Sequence, residues 1–118
     1  MDRDPEFAEL TALFLERNAD AFVVETETRP RDALDRLAAA EFDCVVSDCD
    51  LRTRDGSEFV RRLHAIDPGL PVVLYAWKAP ENVLDRGLPP QVAGFLQKST
   101  DTTDYGALVD RIEDAIGR

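Results

Sequence analysis

The chain has 118 residues, of which 44% are hydrophobic and 32% are charged, a length that suits one domain with its own core. Its formal net charge of −10 opposes nonspecific binding to nucleic-acid phosphates and favours solubility. We therefore expect a single domain over residues 1–118 that makes no direct contact with nucleic acid. The acid excess is typical of a halophilic cytoplasm, with an ordinary acidic domain as the alternative.

The sequence shows neither a membrane span nor a signal peptide. No stretch approaches the roughly 18 apolar residues of a membrane helix, and the acidic start Met1–Pro5 lacks the basic and apolar regions of a signal peptide. We expect a soluble cytoplasmic protein that does not bind membranes.

The first part of the chain predicts a helix, a strand and a second helix. Asp4 as N-cap and Pro5 at the first helical position open a helix that runs to about Asn18. Phe22–Thr26 is rich in β-branched residues and predicts a strand, and Arg29-Pro30 opens the second helix. The residues expected to face the core are Phe7, Leu10, Leu13 and Phe14 in the first helix and Ala33, Leu34, Leu37 and Ala38 in the second.

The rest of the chain continues this alternation. Apolar runs predict strands at Cys44–Asp48, Val72–Tyr75 and Gly94–Leu96. A helix is predicted from Asp55-Gly56 to Ile66, and residues 80–86 could form a short helix that the glycine and prolines at 87–90 end early. The residues expected to face the core are Phe59, Val60, Leu63 and Ile66 in the third helix and Tyr105, Leu108, Val109, Ile112 and Ile116 in a C-terminal helix, with His64 on the surface.

The strands are continuously apolar rather than alternating, as in a parallel sheet covered by helices on both faces. A doubly wound α/β domain is therefore predicted. Ligands of such domains bind at the carboxyl ends of the strands.

Asp48 is the candidate functional residue that this fold selects. It ends the strand Cys44–Asp48, and a second acid, Asp50, and the helix start Asp55-Gly56 follow it. A carboxylate in this place is a candidate phosphoryl acceptor. Without further context, an acid at a strand end is more often part of a loop or a helix cap.

Cys44 and Cys49 are expected to be free thiols. Five residues of extended chain separate them by about 16 Å, which is beyond the reach of a disulfide. With one histidine and no Cys-x-x-Cys pair, the sequence also predicts no zinc site.

Three short motifs follow one another in a distinctive order. They are Asp-Pro-Glu-Phe at 4–7, Asp-Cys-Val-Val-Ser-Asp-Cys-Asp-Leu at 43–51 followed by Asp-Gly at 55–56, and Gly-Phe-Leu-Gln-Lys at 94–98. In this order and at these separations they resemble the receiver domain of two-component response regulators, over nearly the whole chain. The fold that this resemblance implies is the flavodoxin-like parallel sheet with strand order 2-1-3-4-5.

The resemblance also implies a role for particular residues. Asp48 would accept a phosphoryl group from a sensor histidine kinase or a small phosphodonor, and Lys98 would pair with a phosphoryl oxygen. Asp2, Asp48 and the backbone carbonyl of Asp50 would contribute to a Mg²⁺ site. Phe95 matches the aromatic residue whose rotamer changes on phosphorylation. The simpler alternatives are a solvated Lys98 and a Phe95 that only fills the core.

Several positions depart from the receiver pattern. The paired acids after the first strand of receivers align with Asp2-Arg3, so a guanidinium replaces a metal-binding carboxylate. Two unit charges about 4 Å apart interact by on the order of 4 kcal/mol at an effective dielectric near 20, so Arg3 opposes Mg²⁺ binding. Asp4 could substitute, although it is expected to cap the helix. Ala76 lacks the hydroxyl of the usual Ser or Thr, and Arg52 replaces a common proline.

Two features of the second half have no direct counterpart. The fourth helix is cut short around Gly87–Pro90, in the region that receivers use as part of their output face. Trp77 is expected to cover the site, with contact to a partner protein as the alternative.

The strand that should precede Asp2 is missing. In the order 2-1-3-4-5 it would lie between Phe22–Thr26 and Cys44–Asp48, and its absence leaves a gap of two strand spacings, about 9.6 Å. Unpaired backbone groups beside this gap are costly if they are buried. Three outcomes are open: the natural protein starts upstream of Met1, which is favoured, the two neighbours pair directly, or another chain contributes a strand.

The leading interpretation is a signalling receiver domain, not an enzyme, that takes a phosphoryl group on Asp48 and acts on a downstream protein or domain. The alternative is a degenerate receiver that binds partners without phosphorylation, which Arg3 and Ala76 favour. An unrelated flavodoxin-like enzyme or nucleotide-binding protein is disfavoured, because the sequence has no glycine-rich phosphate loop and no catalytic Ser/His pair. A homodimer stays open.

Overall fold

The computed structural model describes residues 1–79 and 91–117, and the short helix predicted at 80–86 and the breaks at 87–90 lie outside them. No helix in these ranges is long and apolar enough to cross a membrane. The elements in chain order are α1 Pro5–Asn18, α2 Pro30–Ala39, β1 Val45–Ser47, α3 Arg54–Ile66, β2 Val72–Ala76, β3 Val92–Gln97 and α4 Asp104–Ala115.

The described strands form one parallel sheet with β2 between β1 and β3. All five residues of β2 are buried, which explains why its sequence is apolar without alternation. Ser47 pairs with Leu74, and Ala76 pairs with Gln97. The carboxyl ends of the three strands therefore lie at the same edge of the sheet.

The sheet carries a separate apolar core on each face, and successive residues of β2 contribute to opposite cores. On one face, Val72 and Leu74 pack with Phe59 and Leu63 of α3 and with Ala33 of α2. On the other face, the core contains Leu15 of α1, Val73 and Tyr75 of β2, and Leu108, Val109 and Ile112 of α4. The prediction of a doubly wound α/β domain is confirmed.

The predicted start of α1 is confirmed by its hydrogen bonds. Asp4 Oδ1 accepts from the backbone N–H groups of Glu6 and Phe7 at 3.1 and 3.3 Å, and Pro5 occupies the first turn, where no N–H is needed. Asp4 is thus engaged as a helix cap, as expected, and fixes the direction in which α1 leaves the carboxyl edge of the sheet.

Gly56 sets the path of the loop between β1 and α3. A Cβ atom at this position would lie 1.9 Å from the carbonyl oxygen of Asp50 and 2.6 Å from its carbonyl carbon. Only glycine allows the first turn of α3 to approach the loop backbone this closely. The Asp-Gly motif is therefore explained by packing against the loop that carries Asp50.

The predicted core-facing residues of three helices need correction. In α1 the buried residues are Ala8, Thr11 and Leu15, whereas Leu10 and Leu13 are 43% and 48% exposed. The buried stripe is shifted by one residue, a rotation of about 100°, and it faces α4 and the core on that side of the sheet. Ile66 and Ala38 are also exposed, since each lies in the last turn of its helix, beyond the part that covers the sheet.

The predicted strand at Phe22–Thr26 is not part of the sheet in the structure. A strand is defined by its hydrogen-bonded neighbour, and the position next to this segment holds no neighbouring strand among the described residues. Burial still alternates, with Val23 exposed between the half-buried Phe22 and Val24. The prediction of a strand at Phe22–Thr26 was therefore wrong, and the alternating burial differs from the continuously apolar strands that the sequence predicted.

Met1 and Asp2 join this segment to β1 at its carboxyl end. The Met1 ammonium donates a hydrogen bond to the carbonyl of Val46, and the N–H of Asp48 donates to the carbonyl of Met1 at 3.2 Å. On the other side, the N–H of Asp2 donates to the carbonyl of Glu27 at 3.0 Å. A parallel strand lying between β1 and the Phe22–Thr26 segment would make hydrogen bonds of this kind to both sides.

A cavity of about 480 Å³ lies between the segment that follows α1 and β1, on the side of Met1 away from the carboxyl edge. Backbone and side chains of both neighbours line it, together with Leu15 and Leu37. Of the three outcomes considered for the missing strand, direct pairing of the neighbours is not what the structure shows. The space stays open, bridged at one end by Met1 and Asp2.

Candidate functional site

Three charged residues meet at the carboxyl edge of the sheet. Asp48 directly follows β1, Lys98 directly follows β3, and Asp2 lies between them through its pairing with Glu27 and its contact with Lys98. The parallel strands place the first two residues at the same edge. The short N-terminal segment brings the third.

Lys98 is held in a buried position. Its backbone N–H donates to the carbonyl of Ala76 at 2.7 Å, and its side chain is only 2% exposed. The ammonium pairs with Asp2, with Nζ 2.6 Å from Oδ2. The alternative of a solvated lysine is therefore wrong.

Aromatic rings surround the Lys98 ammonium. Nζ lies 4.2 Å from the ring centroid of Phe7, 5.6 Å from that of Tyr75 and 5.8 Å from that of Trp77. Such distances allow cation–π attraction. The sequence pattern predicted a core position for Phe7 and only a strand position for Tyr75, although an aromatic residue next to the carboxyl end of a strand is a signal that could have placed Tyr75 here.

The two oxygens of Asp48 have different surroundings. Oδ2 accepts a hydrogen bond from the backbone N–H of Arg3 at 3.1 Å, whereas Oδ1 is buried and has no hydrogen-bond partner within the described residues. Burial raises the pKa of Asp48, and the charge of Asp2 raises it further. The Arg3 N–H and the charge of Lys98 oppose these effects.

The donors that the sequence predicted for Mg²⁺ fit such an ion in part. Asp2 and Asp48 offer carboxylate oxygens, which are hard ligands. The buried Oδ1 of Asp48 has no hydrogen-bond partner among the described residues, and a hydrated cation could supply one. The carbonyl of Asp50 already accepts from the N–H of Thr53 at 3.1 Å and from its hydroxyl at 2.7 Å. Within the described residues, no three His, Cys, Asp or Glu side chains form a metal-binding cluster.

The charged side chains next to this donor set point to different partners. The carboxylate of Asp50 forms an ion pair with Lys78 at 3.2 Å and accepts from the N–H of Arg52 at 2.9 Å. Arg3 contributes its backbone to Asp48, and its side chain is exposed. Solvent around the guanidinium screens the repulsion that the sequence predicted.

The remaining predicted site residues lie close to this edge or behind it. Ala76 is buried at the end of β2 and contributes its carbonyl to Lys98. Phe95 is half-buried and packs against the core between the sheet and α3. Trp77 is 53% exposed and lies edge-on to Phe7, with ring centroids 5.5 Å apart. Cys44 and Cys49 are free, as predicted.

Solved structures similar to this chain share its fold. A sensor protein from Polaromonas sp. JS666 is 25% identical with a TM-score of 0.79, and the match covers 98% of this chain and 90% of that chain. A response regulator receiver domain protein from Clostridium thermocellum is 18% identical with a TM-score of 0.79, covering 99% and 90%. A CheY-like receiver domain protein from Methanospirillum hungatei JF-1 is 16% identical with a TM-score of 0.71, covering 97% and 90%.

Sequence comparison gives the family. A search of curated proteins found no significant match. The family model for the response regulator receiver domain matches residues 1–112, which is nearly the whole chain and includes Asp2, Asp48 and Lys98. Together with the parallel sheet and the charged residues at its carboxyl edge, this match shows that the chain belongs to the response regulator receiver domain family.

Proposed function

We propose that this receiver domain accepts a phosphoryl group on Asp48 from a sensor histidine kinase. The observation that carries the proposal is that the two oxygens of the Asp48 carboxylate have different surroundings. Oδ2 is held by the Arg3 N–H, while Oδ1 has no hydrogen-bond partner among the described residues. The Arg3 N–H thus orients the side chain at its exposed oxygen, which is the side from which a phosphodonor can approach the carboxylate.

Phosphoryl transfer needs only the kinase phosphohistidine, Asp48 and water. A carboxylate oxygen of Asp48 donates an electron pair to phosphorus, and the bond from phosphorus to the kinase histidine nitrogen breaks. The imidazole leaves with that electron pair and takes a proton from water. Asp48 becomes an acyl phosphate, and hydrolysis of this mixed anhydride later returns the carboxylate and inorganic phosphate.

Lys98, which Asp2 holds by an ion pair, provides positive charge where phosphoryl transfer adds negative charge. The Lys98 ammonium pairs with Asp2 in a buried setting and contributes to the field at Asp48. After transfer, the ammonium can pair with a phosphoryl oxygen instead of Asp2. Mg²⁺ held by Asp2 and Asp48 would supply further positive charge beside the phosphoryl oxygens. Phe95, half-buried beside the site, is the aromatic residue whose rotamer would respond.

A second candidate function is a protein-interaction module that works without phosphorylation. It is favoured by the pairing of both lysines near the site with carboxylates, Lys98 with Asp2 and Lys78 with Asp50. The absence of a hydroxyl at Ala76 also favours it. In either case the domain would act on a downstream protein in the cytoplasm, and a homodimer is compatible with both.

Intact-mass analysis after incubation with acetyl phosphate and Mg²⁺ tests the proposal. We expect one added phosphoryl group on the wild-type domain and none on Asp48→Asn. Asp55→Asn is the matched control, because it removes an exposed acid from the first turn of α3, after the loop that follows Asp48, and should keep the adduct.

Two results would contradict phosphoryl transfer to Asp48. One is the absence of an adduct at every concentration of Mg²⁺ and KCl, which leaves the interaction module as the better explanation. The other is an adduct of equal size on Asp48→Asn, which would place the modification elsewhere.

A further inference from the structure

Phe7 makes the closest aromatic contact with the Lys98 ammonium. Its ring centroid is 4.2 Å from Nζ, compared with 5.6 Å for Tyr75 and 5.8 Å for Trp77. Phe7 also contacts both other rings, with centroid distances of 6.0 Å to Tyr75 and 5.5 Å to Trp77. It is therefore the central ring of the group around the cation.

The position of Phe7 is linked to the position of Asp2 through one turn of chain. Asp2 uses Oδ2 to bind Lys98 and Oδ1 to accept from the N–H of Asp4 at 3.0 Å. Asp4 in turn caps the N–H of Phe7. The anion that pairs with Lys98 and the ring that faces it are thus fixed by the same helix start.

This arrangement restricts where the ammonium can go. The rings exclude water from the buried side chain, and their faces attract a cation without offering a hydrogen-bond acceptor that would retain it. Nζ is therefore directed to the anions at the carboxyl edge, which are Asp2 in the present structure and the phosphoryl group once Asp48 is modified.

We propose that Phe7 is a positioning residue for Lys98, which keeps the ammonium next to the carboxyl edge during phosphoryl transfer to Asp48. The proposal rests on the transfer proposed above. Phe7 has added weight in this chain because Ala76 offers no hydroxyl, so a phosphoryl group on Asp48 depends more on ammonium donors such as Lys98.

The rate of acyl phosphate formation from acetyl phosphate with Mg²⁺ is the first measurement. We expect Phe7→Leu to react about five-fold more slowly, equivalent to about 1 kcal/mol at 1.36 kcal/mol per factor of ten, which is the size of a cation–π contact. Phe7→Tyr keeps a ring and should restore the rate. Phe14→Leu is the matched control, because it removes another α1 ring, stacked 4.8 Å from Tyr105.

The NMR shifts of the Lys98 side-chain methylene groups are the second measurement, made without a phosphodonor. Ring currents should displace them strongly in the wild-type domain and in Phe7→Tyr but less in Phe7→Leu, where the more distant rings of Tyr75 and Trp77 remain. Normal Lys98 shifts in the wild type, or equal phosphorylation rates in wild type and Phe7→Leu, would overturn the role of Phe7. Displaced shifts without any phosphorylation would instead reject the transfer and leave the positioning contact intact.

Discussion

Asp48 carries its charge in surroundings that disfavour it. Burial raises its pKa above the ordinary value of 3.8, so the folded domain binds a proton more readily than the unfolded chain. Stability is then lost as pH rises from 3.8 through the raised pKa, and the full cost is present at higher pH. A carboxylate that is costly to keep charged is typical of a functional site.

Asp48→Asn is therefore expected to stabilise the domain at pH 7. The gain should be up to about 1 kcal/mol, since the side chain is only partly buried and solvent screens part of the cost. Thermal unfolding at several pH values measures it, and the gain should vanish below pH 3.8, where Asp48 is protonated in both states. Asp110→Asn, at an exposed position in α4, should change Tm little. A lower Tm for Asp48→Asn at pH 7 would contradict the argument.

Gly56→Ala tests the close contact between α3 and the loop after β1. The new Cβ would lie 1.9 Å from a backbone oxygen, which cannot move as easily as a side-chain end. We expect a loss of about 2–3 kcal/mol in the free energy of unfolding, measured with urea. Gly106→Ala is the control, because no atom lies within 4 Å of its Cβ position and alanine favours the helix by about 1 kcal/mol. Equal stability of the two variants would rule out the contact.

At the scale of elements, the open space beside β1 is the main departure from a complete sheet. Met1 donates one strand-like hydrogen bond at the end of this space. Burial lowers the pKa of its ammonium, because this end of the space disfavours charge. The segment Phe22–Thr26 shows alternating burial and has no paired strand among residues 1–79 and 91–117. An extended apolar strand would satisfy both borders of the space at once.

We therefore expect a variant with five Val and Ile residues added ahead of Met1 to be more stable than the present chain. The added strand would pair with β1 and with the Phe22–Thr26 segment and would replace the buried ammonium by a peptide N–H. Tm and amide hydrogen exchange at Val46 measure the effect, whereas the Val24 N–H already donates to Glu16 Oε2 at 3.1 Å. Five Gly and Ser residues are the control, since they remove the same charge without apolar burial. Equal protection in both variants would count against a strand in this space.

At the scale of the whole molecule, the net charge of −10 means that acidic side chains repel one another, which destabilises the folded state. Ion pairs such as Arg36 with Glu25 and Glu27 offset part of it, although exposed pairs contribute little individually. Raising the salt concentration shortens the Debye length from about 10 Å at 0.1 M to about 3 Å at 1 M. The folded state, which concentrates the acids, gains most from this screening.

Salt is accordingly expected to stabilise the domain. We predict a rise in Tm of about 5 °C between 0.1 and 2 M KCl, measured by circular dichroism. A variant that neutralises the exposed acids Glu9, Asp35 and Asp110 should show a smaller rise, because it carries less repulsion. An equal response in both proteins would mean that salt acts through hydrophobic burial, and it would remove the support for halophilic adaptation.

Local patterns in the sequence determined the elements and their arrangement. Continuous apolar runs required a parallel sheet covered on both faces, Asp4 and Pro5 fixed the start of α1, and the strand ends placed Asp48 and Lys98 at one edge. These features depend on neighbours within a few residues and on the general geometry of parallel sheets, so the order of the residues is enough to predict them.

Only the tertiary structure decided which side chains contact one another at the site. Lys98 pairs with Asp2, 96 residues away in the chain, and not with Asp48 by a direct hydrogen bond. The ring of Phe7 faces Lys98 because α1 is rotated from the face that its apolar spacing predicted, and Phe22–Thr26 stays unpaired because its neighbouring space is open. Each of these outcomes depends on which distant groups meet, and contacts between distant groups leave no periodic pattern in a single sequence.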